Sequence, residues 1–483
     1  METNRRGLLG GAVAGAAMLA PGAGAAQTGD MVKIRRAVEA GHEEAIARLR
    51  AWIALPSIAA ENRDMDKGAA LMAQMARDAG FQQATIVPTD GAPGVFATMD
   101  NGAAKTLGLY FMYDVKQFDP AEWTSPPLEG RIVDKPGLGK VLVGRGAINQ
   151  KGPESALLAA LHAFKRAGVK LPVNLVLVAE GEEEIGSPHI AEFVREHAAR
   201  LDADLVVTSD GPLHDTGQPV IMFGVRGVAA FELRAKTASR DVHSGNFGGI
   251  VPNAIWKLVH LLATMKSPTG EITIEGLTEP VIAPTNYERE AVSRLPLDVD
   301  QVKAQLGLAE LDEPKDRAYY DRVMFHPTLT INGLHGGYGG PGMKTVLPCE
   351  AFVKCDVRLV EPLTPEYVFE KVAAHVAIHA PDVEFVPLNG MLPSKTPMDS
   401  RFAEPLRQAV VAARGVEPLL YPTIGGSLPD YVFTKILGLP AFVIPYANAD
   451  EANHAPNENL EIVRFIDGVR TGAAILSQIG ALR

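Results

Sequence analysis

The feature that most limits the fold of this chain is an alternation of short apolar runs with amphipathic stretches. Apolar runs at 106–113, 173–179 and 205–209 have the length and composition of buried strands. Helical periodicity fills the intervals between them, at 154–167 and 188–200. This βα alternation is typical of a largely parallel sheet covered by helices, so we predict an α/β fold.

A smaller pattern interrupts this alternation near Gly227. The elements predicted there are strands 228–235, 328–332, 351–359 and 383–386 and helices 254–265 and 365–380. The order βαββαβ, with a polar insertion at 270–322, predicts an inserted α+β domain at 227–396. The α/β pattern then returns with helix 402–414, strand 441–446 and helix 460–482. We therefore predict one main domain formed by 27–226 and 397–483.

Length and charge narrow the possible functions. A chain of 483 residues is too long for one ordinary core, and 47% hydrophobic with 21% charged residues is typical of a soluble globular protein. The formal charge of −11 excludes a nucleic acid or an anionic membrane as a partner, because phosphate binding needs a basic face. A small molecule or a short peptide is the expected ligand.

The N-terminus has the pattern of an export signal. Arg5 and Arg6 form a twin-arginine-like motif, followed by an Ala/Gly/Leu stretch that is too short and too rich in small residues to span a bilayer. We expect residues 1–26 to be removed and the mature protein to be periplasmic or secreted. No later segment has eighteen uninterrupted apolar residues, so no membrane attachment is expected after cleavage.

The two cysteines are not expected to form a disulfide. Cys349 and Cys355 lie six residues apart across one predicted strand, which separates them by about 20 Å in an extended chain. We predict that both are core residues without a redox or metal-binding role.

Acidic side chains follow three of the predicted strands at the point where each strand ends. Asp114, Glu182–Glu184 and Asp210 occupy these positions, and His454 follows strand 441–446. Open α/β sheets bind ligands at this edge. Carboxylates that converge there repel one another and lose hydration, so they require a cation. The pattern predicts a divalent metal.

Each of these groups also has a structural interpretation. A single Asp after a strand is commonly a helix cap, three consecutive Glu form a solvated turn, and a lone His is often structural. Taken one at a time, these interpretations prevail. The common placement of all of them at strand ends favours a functional site.

The same residues resemble the successive motifs of the M20 metallopeptidases, in the dipeptidase or carnosinase-like branch. The order and spacing hold over nearly the whole chain after the leader. The matching segments are LYFMYDV at 109–115, DP at 119–120, WTSPP at 123–127, GRGAINQKGP at 144–153, EGEEEIGS at 180–187, SD at 209–210, DVHSG at 241–245, GGY at 336–338, KTV at 344–346 and RLV at 358–360.

The resemblance implies a role for each candidate residue. Glu183 would be the general base that activates water, with Asp114 orienting the ligands, while His243 would polarise the scissile carbonyl, reaching across a dimer. The implied metal ligands are Asn149, Glu184, Asp210 and His454, and the implied substrate-binding residues are Arg358, Gly426 and Ser427, the last two in a turn with Gly425. These roles fit together as a hydrolytic mechanism, because a metal lowers the pKa of its bound water and a carboxylate accepts the proton that the water releases.

The resemblance also implies the architecture and the partners. It implies a zinc-peptidase-like catalytic domain with an inserted lid or dimerisation domain, one or two ions of zinc, manganese or cobalt, and a small peptide or N-acyl amino acid as substrate. Apolar stripes on strand 228–235 and helix 254–265 are those expected of a dimer interface, which favours a homodimer. His335 and the insertion at 270–322 could shape a specificity pocket.

Two positions depart from the family pattern, and both belong to the metal centre. Met112 stands where the family has a metal-binding His, and Asn149 stands where it has a bridging Asp. A thioether suits copper(I) better than zinc, and an amide oxygen carries no charge. Only Glu184 and Asp210 remain as anionic ligands, so two divalent ions would be under-neutralised.

Three functions therefore remain open. The first is hydrolysis of dipeptides or N-acyl amino acids with one ion or a looser pair. The second is an exported, non-catalytic protein that binds peptides or acyl amino acids. The third is an enzyme of the same fold that carries out a non-hydrolytic reaction, such as a lyase or amide-forming step, because a fold alone does not fix function.

Overall fold

The computed structural model describes residues 22–312, 318–449 and 452–482, with side chains from residue 29 onward. Most of the predicted export signal at 1–26 lies outside these residues. The helices are α1 (Gly22–Ile53), α2 (Met65–Ala79), α3 (Lys151–Ala167), α4 (Ile190–His197), α5 (Ser244–Phe247), α6 (Ala254–Met265), α7 (Asn286–Ser293), α8 (Val299–Leu306), α9 (Tyr319–Phe325), α10 (Pro365–His379), α11 (Ala403–Arg414) and α12 (Ile462–Gly480).

Two main sheets and three small ones contain the strands. The strands are β1 (Gln83–Val87), β2 (Gly94–Met99), β3 (Thr106–Met112), β4 (Arg131–Lys135), β5 (Gly139–Val143), β6 (Asn174–Glu180), β7 (Leu205–Thr208), β8 (Val220–Met222), β9 (Gly224–Val225), β10 (Gly227–Lys236), β11 (Val242–His243), β12 (Thr328–Gly336), β13 (Val346–Leu347), β14 (Glu350–Leu359), β15 (Val383–Met391), β16 (Ser394–Lys395), β17 (Leu419–Tyr421), β18 (Ala441–Val443) and β19 (Asn459–Glu461).

The larger sheet has eight strands in the order β1-β2-β6-β3-β7-β18-β8-β17. Its centre, β6-β3-β7-β18, is parallel throughout, and antiparallel pairs occur where β1, β2 and β8 join it. The sequence prediction of an α/β fold with a largely parallel sheet is confirmed. Because the four central strands point the same way, their carboxyl ends meet at one edge.

Side chains of β3 alternate between two apolar cores, one on each face of this sheet. Leu109 and Phe111 belong to the core beneath α1, α3 and α12, whereas Tyr110 and Met112 belong to the core on the opposite face. This alternation follows from the two-residue repeat of a strand. It places the side chain of Met112 in apolar surroundings.

The second sheet has the order β12-β14-β10-β15 and is antiparallel throughout. Helices α6 and α10 pack on it, and the buried side chains between them include Phe231, Leu258, Val353 and Val368. These elements have the βαββαβ order predicted for 227–396. The short strands β9 and β16 pair with each other where the chain leaves and re-enters the larger domain.

Some details differ from the sequence-based expectations. Helix α3 begins at Lys151, three residues before its predicted start, because Pro153 lies in the first turn, where its missing N–H is not needed. The polar insertion at 270–322 contains α7 and α8 and the start of α9. Cys355 is buried and free as predicted, but Cys349 is partly exposed. No helix among the described residues is both long enough and apolar enough to cross a bilayer.

Candidate active site

The carboxyl ends of β3, β6 and β7 bring the predicted acidic residues together. The backbone N–H of Glu184 donates to Asp114 Oδ2 at 3.0 Å, which joins the segments after β6 and β3. Asp210, which follows β7, lies close enough to Glu184 and His454 for their charges to act on its pKa. Four predicted residues from distant parts of the sequence therefore share one cleft.

Glu184 and Asn149 form the closest contact of the predicted metal ligands. Asn149 Nδ2 donates to Glu184 Oε1 at 2.5 Å and lies 2.7 Å from His454 Nε2. His454 Nε2 is also 3.3 Å from Glu184 Oε2. Because a carboxylate only accepts hydrogen bonds, Asn149 presents its nitrogen here, and its oxygen accepts from Gln150 Nε2 at 2.6 Å.

The loop that carries Asn149 is held by a buried ion pair that the sequence did not indicate. Glu458 is fully buried, and its carboxylate accepts from the backbone N–H groups of Gly146, Ile148 and Asn149. Arg145 Nη1 donates to the same carboxylate at 2.8 Å. A buried charge needs such a full set of partners. This pair fixes the position of Asn149 opposite Glu184.

Burial and mutual repulsion raise the pKa values of the cleft carboxyls. Burial, with the nearby charges of Glu184 and Asp114, raises the pKa of Glu183 well above its ordinary value. Burial raises the pKa of Asp210 to about 6, against the lowering effect of the Gly211 backbone N–H. The pKa of Asp114 is raised well above the usual range by burial and by Glu184. The cleft therefore favours either protons or added positive charge.

Met112 does not face the acidic residues as a ligand would. Its side chain is completely buried and belongs to the apolar core that contains Tyr110 and Val178. Its backbone N–H donates to Glu154 Oε1 at 2.6 Å. The structure thus gives Met112 a packing role.

Lys116 is a cleft residue that the sequence analysis did not single out. Its ammonium donates to the backbone oxygen of Glu184 and lies 3.0 Å from Glu184 Oε2. The Glu184 side chain is 3% exposed, whereas that of Lys116 is 36% exposed. The signal in the sequence was a basic residue two positions after Asp114, in the same strand-end segment.

The predicted substrate-binding residues lie together at the junction of the two domains. Arg358, at the end of β14, donates through Nη1 to Ser427 Oγ at 3.0 Å, and Gly426 adjoins that serine. Arg226, which the sequence analysis missed, donates through Nε to the Gly425 oxygen at 3.1 Å. Two guanidinium groups therefore lie next to this turn, as recognition of a carboxylate requires.

The described residues do not bring His243 to the acidic cluster. His243 lies in the inserted domain, its Nδ1 accepts from the Gly245 N–H at 3.0 Å, and its Nε2 is 3.1 Å from Thr345 Oγ1. Its ring is exposed. A role in catalysis would require its approach from another copy of the chain.

A pair of divalent ions does not fit these residues. The Asn149 amide points hydrogens at Glu184, the Lys116 ammonium pairs with the same carboxylate, and Met112 is turned into the core. Across 22–312, 318–449 and 452–482, no group of three or more His, Cys, Asp or Glu side chains is arranged to hold a metal. The expected ligand set is therefore not preassembled. For a single ion, Glu184, Asp210 and His454 have suitable oxygen and nitrogen donors.

An unpartnered buried atom nevertheless indicates a need for more positive charge here. Asp114 Oδ1 is buried and has no hydrogen-bond partner among the described residues, while Asp114 Oδ2 accepts the Glu184 N–H. An orphaned carboxylate oxygen of this kind is costly unless a proton or a cation is near it. A proton or a cation beside Asp114 would satisfy this oxygen.

Comparison with known proteins agrees with the fold. A model of "Peptidase family M20/M25/M40" matches residues 109–479. The chain is 30% identical over 420 residues to the Cys-Gly metallodipeptidase DUG1 of Saccharomyces cerevisiae, covering 83% of this chain and 85% of that protein. It is 26% identical to the Beta-Ala-His dipeptidase of Homo sapiens, covering 93% of each.

Solved structures show the same similarity. The M20 family metallo-carboxypeptidase Sso-CP2 from Sulfolobus solfataricus superposes with a TM-score of 0.84 and 29% identity, covering 91% of this chain and all of that one. Human carnosine dipeptidase 1 superposes with a TM-score of 0.80 and 25% identity, covering 94% and 99%. The family match covers most of the chain, including the residues that line the cleft. The chain belongs to the M20/M25/M40 peptidase family.

Proposed function

We propose that this protein is a metal-dependent hydrolase of the amide bond in dipeptides or N-acyl amino acids, working with a single divalent ion. The observation that carries the proposal is the contact of Glu184 with both Asp114 and His454 at the carboxyl edge of the central sheet, directly beside Glu183. A carboxylate beside such a group of oxygen and nitrogen donors is placed to take a proton from water. Relatives named as metallodipeptidases support this assignment.

Glu184, Asp210 and His454 would hold the ion. When bound, a divalent ion of the zinc type lowers the pKa of water and polarises a carbonyl. Glu183 accepts the proton of the attacking water and returns it to the leaving amine. Asp114 holds the Glu184 backbone in place through their hydrogen bond. The identity of the metal is not fixed by these donors, since zinc, manganese and cobalt all accept carboxylate-rich sites.

Arg358 would bind the substrate carboxylate, with Gly426 and Ser427 shaping the pocket. A guanidinium group can bind a carboxylate through two hydrogen bonds. Arg226 adds a second positive charge beside it, and its pKa of about 10, lowered by burial, leaves it charged at pH 7. A free α-carboxylate is thus the expected common feature of the substrates.

We propose further that the active form is a homodimer built on the inserted domain. Strand β12 is an edge of its sheet, and it exposes Ile331 and Leu334. Helix α6 buries Ala254, Leu258, Leu261 and Met265 on one face and exposes Trp256 and Val259 on the other. Exposed edges and apolar patches of this kind are found at protein interfaces. A partner could present His243 to the cleft.

Export through a twin-arginine pathway is part of the same proposal. It is supported by Arg5 and Arg6 and by the small-residue stretch that follows them. Replacing both arginines with lysine is expected to leave the protein in the cytoplasm with an uncleaved N-terminus. Cell fractionation with N-terminal sequencing measures this, and unchanged export would refute it.

Turnover measurements test the main proposal directly. The purified protein, supplied with zinc, manganese or cobalt in turn, is offered Cys-Gly, β-Ala-His and an N-acetyl amino acid, with release of the free amino acid as the readout. We expect hydrolysis of at least one substrate class, stopped by a chelator and by Glu183→Gln. Substrate binding without turnover under every metal would favour a non-catalytic binding protein instead.

A further inference from the structure

Each oxygen atom of Glu184 already has a polar contact with another residue of the chain. Asn149 Nδ2 donates to Oε1 at 2.5 Å, the Lys116 ammonium lies 3.0 Å from Oε2, and the same ammonium donates to the backbone oxygen. His454 Nε2 is 3.3 Å from Oε2. A side chain that is 3% exposed therefore has its charge compensated internally.

The position of Lys116 explains how it reaches this carboxylate. It follows β3, whose last residue is Met112, and β3 lies beside β6, whose last residue is Glu180. Parallel neighbours end at the same edge, so a long side chain four residues past β3 reaches the segment after β6. The ammonium is thereby fixed at the mouth of the acidic cleft, since the Lys116 side chain is one-third exposed.

The contact between Lys116 and Glu184 disfavours a metal ion at Glu184. A divalent ion at Glu184 would lie within a few ångströms of the ammonium, and two like charges so close repel strongly in a poorly hydrated cleft. The amide of Asn149 adds no negative charge to offset a second ion. Of the Glu184 oxygens, Oε2 is committed to Lys116, and Oε1 is released only if the Asn149 amide turns.

We propose that the Lys116 ammonium supplies, at Glu184, the positive charge of one of the two metal ions of a dinuclear centre, so that the cleft accepts no more than one divalent ion. This inference rests on the proposed function, because it assigns the charge balance of the same site. It also accounts for the joint presence of Asn149 and Lys116. Asn149 lacks the negative charge of the Asp that the family has at this position, and Lys116 adds a positive charge beside Glu184.

Zinc binding by the mature protein tests the inference with a readout independent of activity. Zinc content by mass spectrometry and the zinc Kd by titration calorimetry are compared for the wild type, Lys116→Gln, Lys116→Arg and Lys435→Gln. Lys435 is a matched control because it pairs with Glu361 at 3.0 Å, is 28% exposed and lies outside the cleft residues.

The wild type is expected to bind at most one equivalent of zinc. Lys116→Gln should lower the zinc Kd by about tenfold or more, since a repelling charge is removed. It should also lower the melting temperature of the metal-free protein, and zinc should restore it. Lys116→Arg keeps the charge and should retain the wild-type Kd, as should Lys435→Gln.

Two results would overturn the inference. One is a wild type that takes up two equivalents of zinc. The other is that Lys116→Gln and Lys435→Gln have the same zinc Kd and the same melting temperature without metal. If Lys116→Gln does not fold without zinc but folds with it, the inference is supported. Failure of the proposed function is a separate result, namely absence of turnover by the zinc-loaded wild type.

Discussion

Arg358 Nη1 donates to Ser427 Oγ across the junction between the inserted domain and the larger domain, at 3.0 Å. Arg358 is placed by β14, the second strand of the antiparallel sheet, whereas Ser427 lies in the turn after β17. This hydrogen bond connects the inserted domain to the domain whose sheet edge carries the acidic cleft. A substrate held here would span both domains.

Arg358→Ala is expected to raise KM for dipeptides with little change in kcat. The loss of a charge-assisted carboxylate contact costs about 2 kcal/mol, or about thirtyfold in kcat/KM. Steady-state kinetics with a dipeptide and with its C-terminal amide measure this, and the variant should distinguish the two less than the wild type does. Arg234→Lys, on the exposed part of β10, is the control. A variant that keeps the wild-type preference for the free carboxylate would contradict the assignment.

Glu183→Gln is expected to lower kcat by about 10²–10⁴-fold while zinc content stays at the wild-type value, because the variant removes the proton acceptor but not a ligand. Glu182→Gln serves as the neighbouring control, since the Glu182 carboxylate contacts His189 Nδ1 at 2.6 Å. Turnover and metal analysis on the same preparations give both readouts. Equal losses in the two variants would show that Glu183 has no distinct role.

Asn149→Asp is expected to make the stability of the protein depend on zinc. It places a second carboxylate against Glu184, where Asn149 Nδ2 now lies 2.5 Å from Oε1, and should cost about 2 kcal/mol without a cation. Adding zinc should recover the loss. Thermal melts with zinc and with a chelator measure the difference.

Asn332→Asp is the matched control for that experiment. Asn332 Nδ2 donates to Asp356 Oδ2 at 2.7 Å, so the substitution also sets one carboxylate against another, but on the inserted sheet. Its melting temperature should be the same with zinc and with chelator. If zinc rescues both variants alike, the effect is not specific to the cleft.

Much of the fold could be predicted because local pattern and burial agree. Helix α6 was predicted with its observed bounds, since its buried residues recur at helical spacing and Asn253 caps its first turn. Strand β15 was predicted to end before Pro387, but it continues to Met391. β15 lies at the edge of its sheet, where a proline, which has no N–H, is tolerated. Which strand lies at an edge depends on tertiary pairing, so the sequence alone did not predict this continuation.

The site was only partly predictable. Strand-end carboxylates such as Asp114 and Asp210 follow a rule about sheets, so their convergence could be inferred from the sequence. The roles of Lys116 and Glu458 could not be predicted this way. Each depends on a contact with a residue at least 68 positions away in the sequence, Glu184 for Lys116 and Asn149 for Glu458, and such contacts are set by the tertiary fold. The direction of the Asn149 amide is likewise set by Glu184 and Gln150 and not by its own position.

Stability is expected to fall between pH 6.5 and about 4 because of His162. Burial, together with Arg48, lowers the pKa of this histidine to about 4, below its ordinary value of 6.5. In that window the unfolded chain binds a proton that the folded chain does not, so stability rises with pH and is lost on acidification. His162→Gln should reduce the difference in melting temperature between pH 7 and pH 5. An unchanged difference would assign the acid sensitivity to other groups.

A single charge on the inserted sheet is expected to separate the proposed dimer into monomers. Ile331 is 53% exposed on edge strand β12, and Ile331→Asp would bury a carboxylate without a partner at the proposed interface. Light scattering after gel filtration should show a monomer with greatly reduced kcat, since His243 would no longer reach a neighbouring cleft. Ile86→Asp, on edge strand β1 of the larger sheet and 42% exposed, should remain dimeric and active. A fully active Ile331→Asp monomer would show that each cleft is complete without a partner.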